Sequence, residues 1–225
     1  MPRRPPARPS SVDGSLTDPR PLGARDRAAV SSPGSSVAPE GSGIARTPRR
    51  GVRTSKAVSH AWHNEAVRVA MVCLGNICRS PMAEAVSRAL VDQAGLGHRV
   101  TVESFGTAGY HIGESADPQA AAALRRRGWS ADGHRARQID SDNIAVTDLV
   151  LCADRPVLAA VRHLAGTEEH RSKVVLLRSF DPFGTPSDEE VPDPWGHAAA
   201  AFDRSLHLIE RACRGLVAGL ADPPR

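Results

Sequence analysis

Apolar residues gather in short runs and in helically spaced sets over the last two-thirds of the chain. Val67-Arg68-Val69-Ala70-Met71-Val72 has strand length, and Val100–Phe105, Leu149–Cys152 and Lys173–Leu177 give three further strands. Helical patterns fill the intervals. Pro81–Ala94 ends at Gly95 and turns Ala85 and Leu90 inward, and the Ala-rich Pro118–Arg127 stops at Gly128. Arg155–Leu164 is a third helix, and His197–Ala218 closes the chain as a long amphipathic one. Short apolar strands alternating with helices predict parallel strands covered on both faces, hence a three-layer α/β domain over residues 65–222. In such sheets ligands sit beyond the carboxyl ends of the strands. Neither Gly-x-Gly-x-x-Gly nor Gly-x4-Gly-Lys-Ser/Thr follows a strand, which sets a nucleotide fold aside.

Residues 1–64 show no such pattern and are expected to be a disordered leader. The first 60 residues hold nine of the 18 prolines, and eleven Arg or Lys face four Asp or Glu. That is a net +7, so the total of +4 leaves −3 for the remaining 165 residues, and the high pI belongs to the leader. A segment without a core-forming run cannot offset its ordering entropy. Scattered arginines and the lack of an apolar core argue against a secretory signal, and the prolines against an amphipathic targeting helix. Without aromatic interleaving its charge specifies no nucleic-acid partner, and a solvated extension is the simpler reading. No apolar stretch reaches membrane-spanning length.

Four cysteines, Cys73, Cys78, Cys152 and Cys213, make neither a disulfide framework nor a Cys-x2-Cys zinc pattern. A reduced cytoplasmic setting follows, with export by a route the sequence does not show left open. Nothing in the sequence sets an oligomeric state.

The stretch Cys73-Leu74-Gly75-Asn76-Ile77-Cys78-Arg79-Ser80 lies between the first strand and the first helix. A strand, a tight loop and a helix start aim successive N–H groups at one point, which suits a phosphate oxyanion. Gly75 and Asn76 tolerate the dihedrals of such a nest, Ser80 is a cap candidate, and Pro81 suits the first helical position. Arg79 can fork onto two phosphate oxygens, and Cys73 at the rim can attack phosphorus as a thiolate. The plain alternative makes Cys73 a small buried hydrophobe and Arg79 a surface charge.

Expelling an alkoxide or phenoxide calls for a proton donor opposite the sulfur. Asp193-Pro194-Trp195 is the better candidate, since Pro194 stiffens the loop and Trp195 offers a flat wall to an aromatic substrate; Asp181-Pro182-Phe183 competes with it, and either can be only a turn. The nest and Arg79 supply positive field without a metal, so no cofactor is implied.

VCLGNICRSPMAE (Val72–Glu84) resembles the phosphate loop of the low-molecular-weight protein tyrosine phosphatases. The resemblance runs on through Ser104–Gly109, Gly133–Gln138, Asp148–Asp154, Leu176–Phe180 and Val191–Trp195. It implies a four-stranded parallel sheet of order 2-1-3-4 and hydrolysis of phosphotyrosine proteins. Cys73 becomes the nucleophile, Arg79 the clamp and Asp193 the acid, with Trp195 where the family pattern has Tyr. It also makes Leu74, Gly75, Asn76, Ile77, Cys78 and Ser80 the phosphate-binding loop, and Leu74, Tyr110 and Trp195 the apolar cleft walls. His134, with Asn76 and Ser80, becomes a loop support, and Cys78 a redox partner for Cys73. Leu74 stands where protein-arginine phosphatases on this fold tend to have Thr. An arsenate reductase would need further relay cysteines, and Cys152 stands alone in its predicted strand. A noncatalytic phosphate-binding module would need neither Cys73 nor Asp193.

Overall fold

In the computed structural model, which describes residues 65–222, β1 (Val67–Cys73) is buried along almost its whole length at the centre of the sheet. It pairs in parallel with β2 (Val100–Gly106) on one side and β3 (Leu149–Cys152) on the other, and β3 pairs with β4 (Val174–Leu176). The order is therefore 2-1-3-4. The leader expected at 1–64 lies outside the described residues.

Because side chains alternate across a strand, β1 feeds two cores. Val67, Val69, Met71 and Cys73 face one layer, formed by α1 (Arg79–Gln93), α2 (Pro118–Arg126) and α6 (Ala199–Ala221). Ala70 and Val72 face the other with Ile144, Val157 and Val161, from α3 (Ser141–Val146) and α4 (Arg155–Leu164). A one-residue slip of β1 would exchange these sets, so the core specifies the register.

The four strands and four long helices stand within a few residues of their predicted ends. Three short elements escaped the hydrophobic pattern. α3 is held by a capping box in which Asp140 accepts from the Asn143 N–H and the Asn143 side chain accepts from Asp140 N–H. α5 (Glu168–Ser172) is capped by Thr167. Leu177, expected to end the fourth strand, instead opens a 3₁₀ turn, Leu177–Phe180. That turn is closed by Ser179 Oγ donating to the Leu176 carbonyl at 2.7 Å and by Asp181 N–H donating to the Arg178 carbonyl at 3.0 Å.

α6 packs against this turn with almost no clearance. A Cβ at Gly215 would stand 1.9 Å from the Phe180 carbonyl oxygen, a backbone atom that cannot rotate aside. Glycine costs helix stability at that position but allows the close approach. Gly215→Ala should therefore destabilise the domain by about 1–3 kcal/mol through overpacking, despite alanine's better helix propensity. An unchanged or raised urea-unfolding midpoint would show that the two backbones separate at no cost.

Candidate active site

β1 ends at Cys73 beside Gly106 of β2, and the chain between Cys73 and Arg79 curls into a closed loop. Asn76 makes the curl possible by adopting φ = 56°, a left-handed conformation that Asn tolerates better than most residues. Its side chain, fully buried, then secures the loop. Nδ2 donates to Ser80 Oγ at 2.8 Å and to Ser104 Oγ at 2.9 Å, while Oδ1 accepts from Arg137 N–H at 2.7 Å. Gly75 keeps an ordinary negative φ. Its missing Cβ instead admits the His111 ring, whose Cδ2 would lie 3.0 Å from a side chain there.

The loop aims its donors inward. Asn76 N–H points at Cys73 Sγ, 3.2 Å away, and Ser80 Oγ lies 3.0 Å from the same sulfur. Ser80 Oγ is also 3.1 Å from the Phe105 carbonyl oxygen, so its single proton serves one acceptor or the other. Ser80 is thus no helix cap. The α1 cap position is Cys78, which makes no side-chain cap bond, and Pro81 falls in the third helical position rather than the first. Gly75, Ile77 and Cys78 N–H groups find no backbone acceptor among the described residues. Together with the open N-terminus of α1 they form a concentration of unused donors.

Arg79 is only 4% exposed and ties three parts of the chain together. Nη1 donates to Asp154 Oδ2 and to the Val191 carbonyl at 3.2 Å, and Nη2 donates to Asp193 Oδ2 at 2.7 Å. Nε is buried and meets no acceptor. Asp154 also caps α4, accepting from Val157 N–H at 2.8 Å, so the guanidinium is referenced to the end of β3. Asp193 Oδ1 accepts from Trp195 N–H at 3.2 Å, which holds the Asp-Pro-Trp turn.

Behind the loop, His134 Nε2–H donates to the Asn76 carbonyl at 2.7 Å, and its Nδ1 is 3.9 Å from Glu84 Oε2. Glu84 in turn accepts from Ser104 Oγ at 2.6 Å. His134, Asn76 and Ser80 therefore meet in one network. Glu84, Ser104 and Arg137 belong to it as well, Asp154 belongs to the separate cluster around Arg79, and none of the four was assigned a role from sequence. Each lies within a stretch already singled out by resemblance or beside one, but nothing in the spacing marks a hydrogen-bond partner 28 or 61 residues away.

The second Asp-Pro-aromatic triplet is elsewhere. Asp181 is buried between Arg178 Nη2 at 3.5 Å and Arg211, whose Nε and Nη2 donate at 3.1 and 2.8 Å. Its carboxylate is committed to those two cations and does not reach Arg79. Leu74, Tyr110 and Trp195 stand exposed on three separate loops at the carboxyl end of β1 and β2, Tyr110 edge-on to His111.

Cys73 and Cys78 are buried in the same core layer, whereas Cys152 belongs to the opposite one. Burial, with Asp117, the Cys73 sulfur and Asp193 nearby, pushes the Cys78 thiol well above its ordinary range. Burial raises Cys152 and Cys213 too, so both are chemically quiet thiols. Among the described residues no group of three or more His, Cys, Asp or Glu could hold a metal, and no helix is long and apolar enough to cross a membrane.

A parallel 2-1-3-4 sheet with this loop at its central edge places the chain among the α/β phosphatases. Residues 68–223 match the low molecular weight phosphotyrosine protein phosphatase family, and the chain belongs to that family of hydrolases. A low molecular weight protein-tyrosine-phosphatase of Streptomyces coelicolor is 48% identical over 155 residues, covering 69% of this chain and 94% of that protein. The crystal structure of YfkJ from Bacillus subtilis superposes with a TM-score of 0.66 at 32% identity, over 72% of this chain and 99% of that one. The YwlE arginine phosphatase of the same organism, in a cysteine-to-serine variant with a phosphorylated active-site serine, gives 0.63 at 27% identity over 71% and 99%.

Gly106 shows how little room the loop leaves. A Cβ there would stand 2.7 Å from the Leu74 carbonyl oxygen and 3.0 Å from Asn76 N, both backbone atoms of the nest. Gly106→Ala should therefore weaken inhibition by inorganic phosphate or tungstate and lower turnover of an aryl phosphate together, each by roughly tenfold or more. Intact oxyanion affinity in this variant would show that the nest tolerates the displacement.

Proposed function

We propose that this chain hydrolyses phosphotyrosine in proteins through a phosphocysteine intermediate. The observation that carries the reading is that one loop, from Cys73 to Arg79, bears a sulfur facing the Asn76 N–H, further N–H groups without a backbone acceptor, and a guanidinium whose Nη2 holds the Asp193 carboxyl. The Cys73 thiolate attacks phosphorus as the bond to the tyrosyl oxygen breaks, and Asp193 delivers its proton to that oxygen. Water then attacks the phosphocysteine, its proton passing to the Asp193 carboxylate, and inorganic phosphate leaves as the thiolate is restored.

Charge on the transferring phosphoryl oxygens is met by the N–H groups of the nest and by Arg79 Nε and Nη2. Nη1 stays on Asp154 and the Val191 carbonyl, so the clamp keeps its aim during turnover. Asp193 exchanges the guanidinium for the leaving oxygen when substrate enters. No metal is needed for these steps. Leu74, Tyr110 and Trp195 receive the phenyl ring, and the apolar Leu74 favours an aryl ester over a guanidinium phosphate. Phosphoarginine is the second reading, supported by the likeness to YwlE, and a panel of phosphotyrosine, phosphoserine and phosphoarginine peptides separates them.

Oxidation adds a reversible off state in this reading. Peroxide converts the Cys73 thiolate to a sulfenic acid, Cys78 displaces water from it, and a Cys73–Cys78 disulfide results. Cys152, on the other face of the sheet, cannot extend this into a relay. A reducing, cytoplasmic setting keeps the enzyme active.

Cys73→Ser should abolish aryl phosphate turnover while leaving tungstate binding detectable by calorimetry; wild-type turnover would reject the phosphocysteine. Asp193→Asn should lower kcat/KM for phenyl phosphate by roughly 10²–10⁴-fold, the usual worth of a positioned proton donor. The loss should shrink markedly for 2,4-dinitrophenyl phosphate, whose leaving group needs little protonation. A loss equal for both substrates would remove Asp193 from the role of acid.

A further inference from the structure

The segment that carries Asp193 is wrapped around an arginine that the proposed chemistry does not touch. Arg178 sits in the 3₁₀ turn after β4 and is only 2% exposed. Nη1 donates to Asp188 Oδ1 at 2.7 Å and to the Glu190 carbonyl at 2.9 Å. Nη2 donates to Asp188 Oδ2 at 2.9 Å and to Asp181 Oδ2 at 3.5 Å. The beginning of the stretch from Asp181 to Glu190 and two points near its end are thus anchored to one guanidinium.

A buried cation is costly, and replacing such a group by an apolar side chain is often neutral for stability. Its main partner Asp188 is 68% exposed at the side chain, so solvent screens part of what the pair contributes to folding. What the fork does supply is geometry, because a bidentate Arg–carboxylate pair fixes both partners in one plane. The fixed end leads directly to the acid. Glu190 is held by Arg178 and by Arg155, whose N–H donates to Glu190 Oε1 at 2.9 Å. Val191 is held through Ala153 and Arg79, and the Pro192 carbonyl accepts from Ser205 Oγ at 2.8 Å. Asp193 is the next residue.

We propose that Arg178 and Asp188 form a clamp that positions Asp193 for proton transfer. Arg178 and Asp188 are positioning residues and touch neither substrate nor the reacting atoms. The proposal rests on the reading of Asp193 as the acid, and the experiment separates the two. Loosening the clamp lets the carboxyl wander from the leaving oxygen, and an error of about 1 Å in such a group can cost on the order of 10²-fold in rate. The nest and Arg79, anchored independently on Asp154, remain in place.

The test measures kcat/KM for phenyl phosphate and 2,4-dinitrophenyl phosphate, with tungstate inhibition, in wild type, Arg178→Lys, Asp188→Ala, Asp193→Asn and the Asp188→Ala/Asp193→Asn double variant. Asp188→Ala should lower kcat/KM for phenyl phosphate by about tenfold, with little effect on the dinitrophenyl ester or on tungstate. Arg178→Lys keeps the charge and loses the fork, so it should move the same way. In the D193N background, Asp188→Ala should add nothing further, since it acts through the group already removed. Equal losses on both substrates, full additivity, weakened tungstate inhibition or wild-type rates in Asp188→Ala would each overturn the clamp. If Arg178→Lys fails to fold, the exposed Asp188 still decides the question. If Asp193→Asn itself lacks leaving-group dependence, the acid reading fails and the clamp with it, and that result is distinct from failure of the clamp alone.

Discussion

A guanidinium buried at the head of α1 has to be compensated, and the way Arg79 is compensated organises this half of the molecule. Asp154 sits just beyond β3, Val191 and Asp193 lie on the segment leading into α6, and Arg79 belongs to the loop after β1. None of these segments is adjacent in sequence. One buried charge therefore brings the ends of two central strands and the Asp193 segment to a common point. Because Nε is left without a protein acceptor, the same residue that closes the structure keeps a donor for an anion.

The nest itself depends on a second buried polar group. Asn76 uses both ends of its amide to bind Ser80, Ser104 and Arg137, while its carbonyl takes the His134 proton. A fully satisfied network of this kind gives one geometry rather than an ensemble, since each unmade bond would strand a buried polar atom. The loop N–H groups stay open because side chains and not the loop's own carbonyls hold the curl. The parallel register adds the remaining constraint. It brings Gly106 against the loop and places Cys152 on the face of the sheet opposite Cys73, so only Cys78 shares the Cys73 layer near the loop.

Sequence patterning was sufficient for the strands and long helices because their burial is regular, with period two or near four. It also carried the family resemblance, whose longest motif, Val72–Glu84, is one local stretch. It misplaced the start of α1. Ser80 and Pro81 look like a helix start by local preference, yet the helix begins at Arg79 because Ser80 Oγ is engaged by Cys73, Asn76 and Phe105. Leu177 reads as strand by hydrophobicity and is bent into a turn by hydrogen bonds that residue type alone does not reveal. α3 and α5 are too short for periodicity, and the caps that hold them emerge only in the folded chain.

By itself the sequence determined the class of fold, the four-strand rhythm and the family, because local hydrophobic period and loop motifs act over a few residues. Between Asp181 and Asp193 it preferred Asp193 without deciding, and resemblance strengthened that preference. Tertiary structure separated them physically: Asp181 is enclosed by Arg178 and Arg211, and Asp193 reaches Arg79. The partners of Asn76, the anchoring of Arg79 on Asp154 and the wrapping of the Asp193 segment around Arg178 were likewise decided only there. Each is a contact between distant segments whose energy depends on burial and direction, quantities that exist only once the chain has folded.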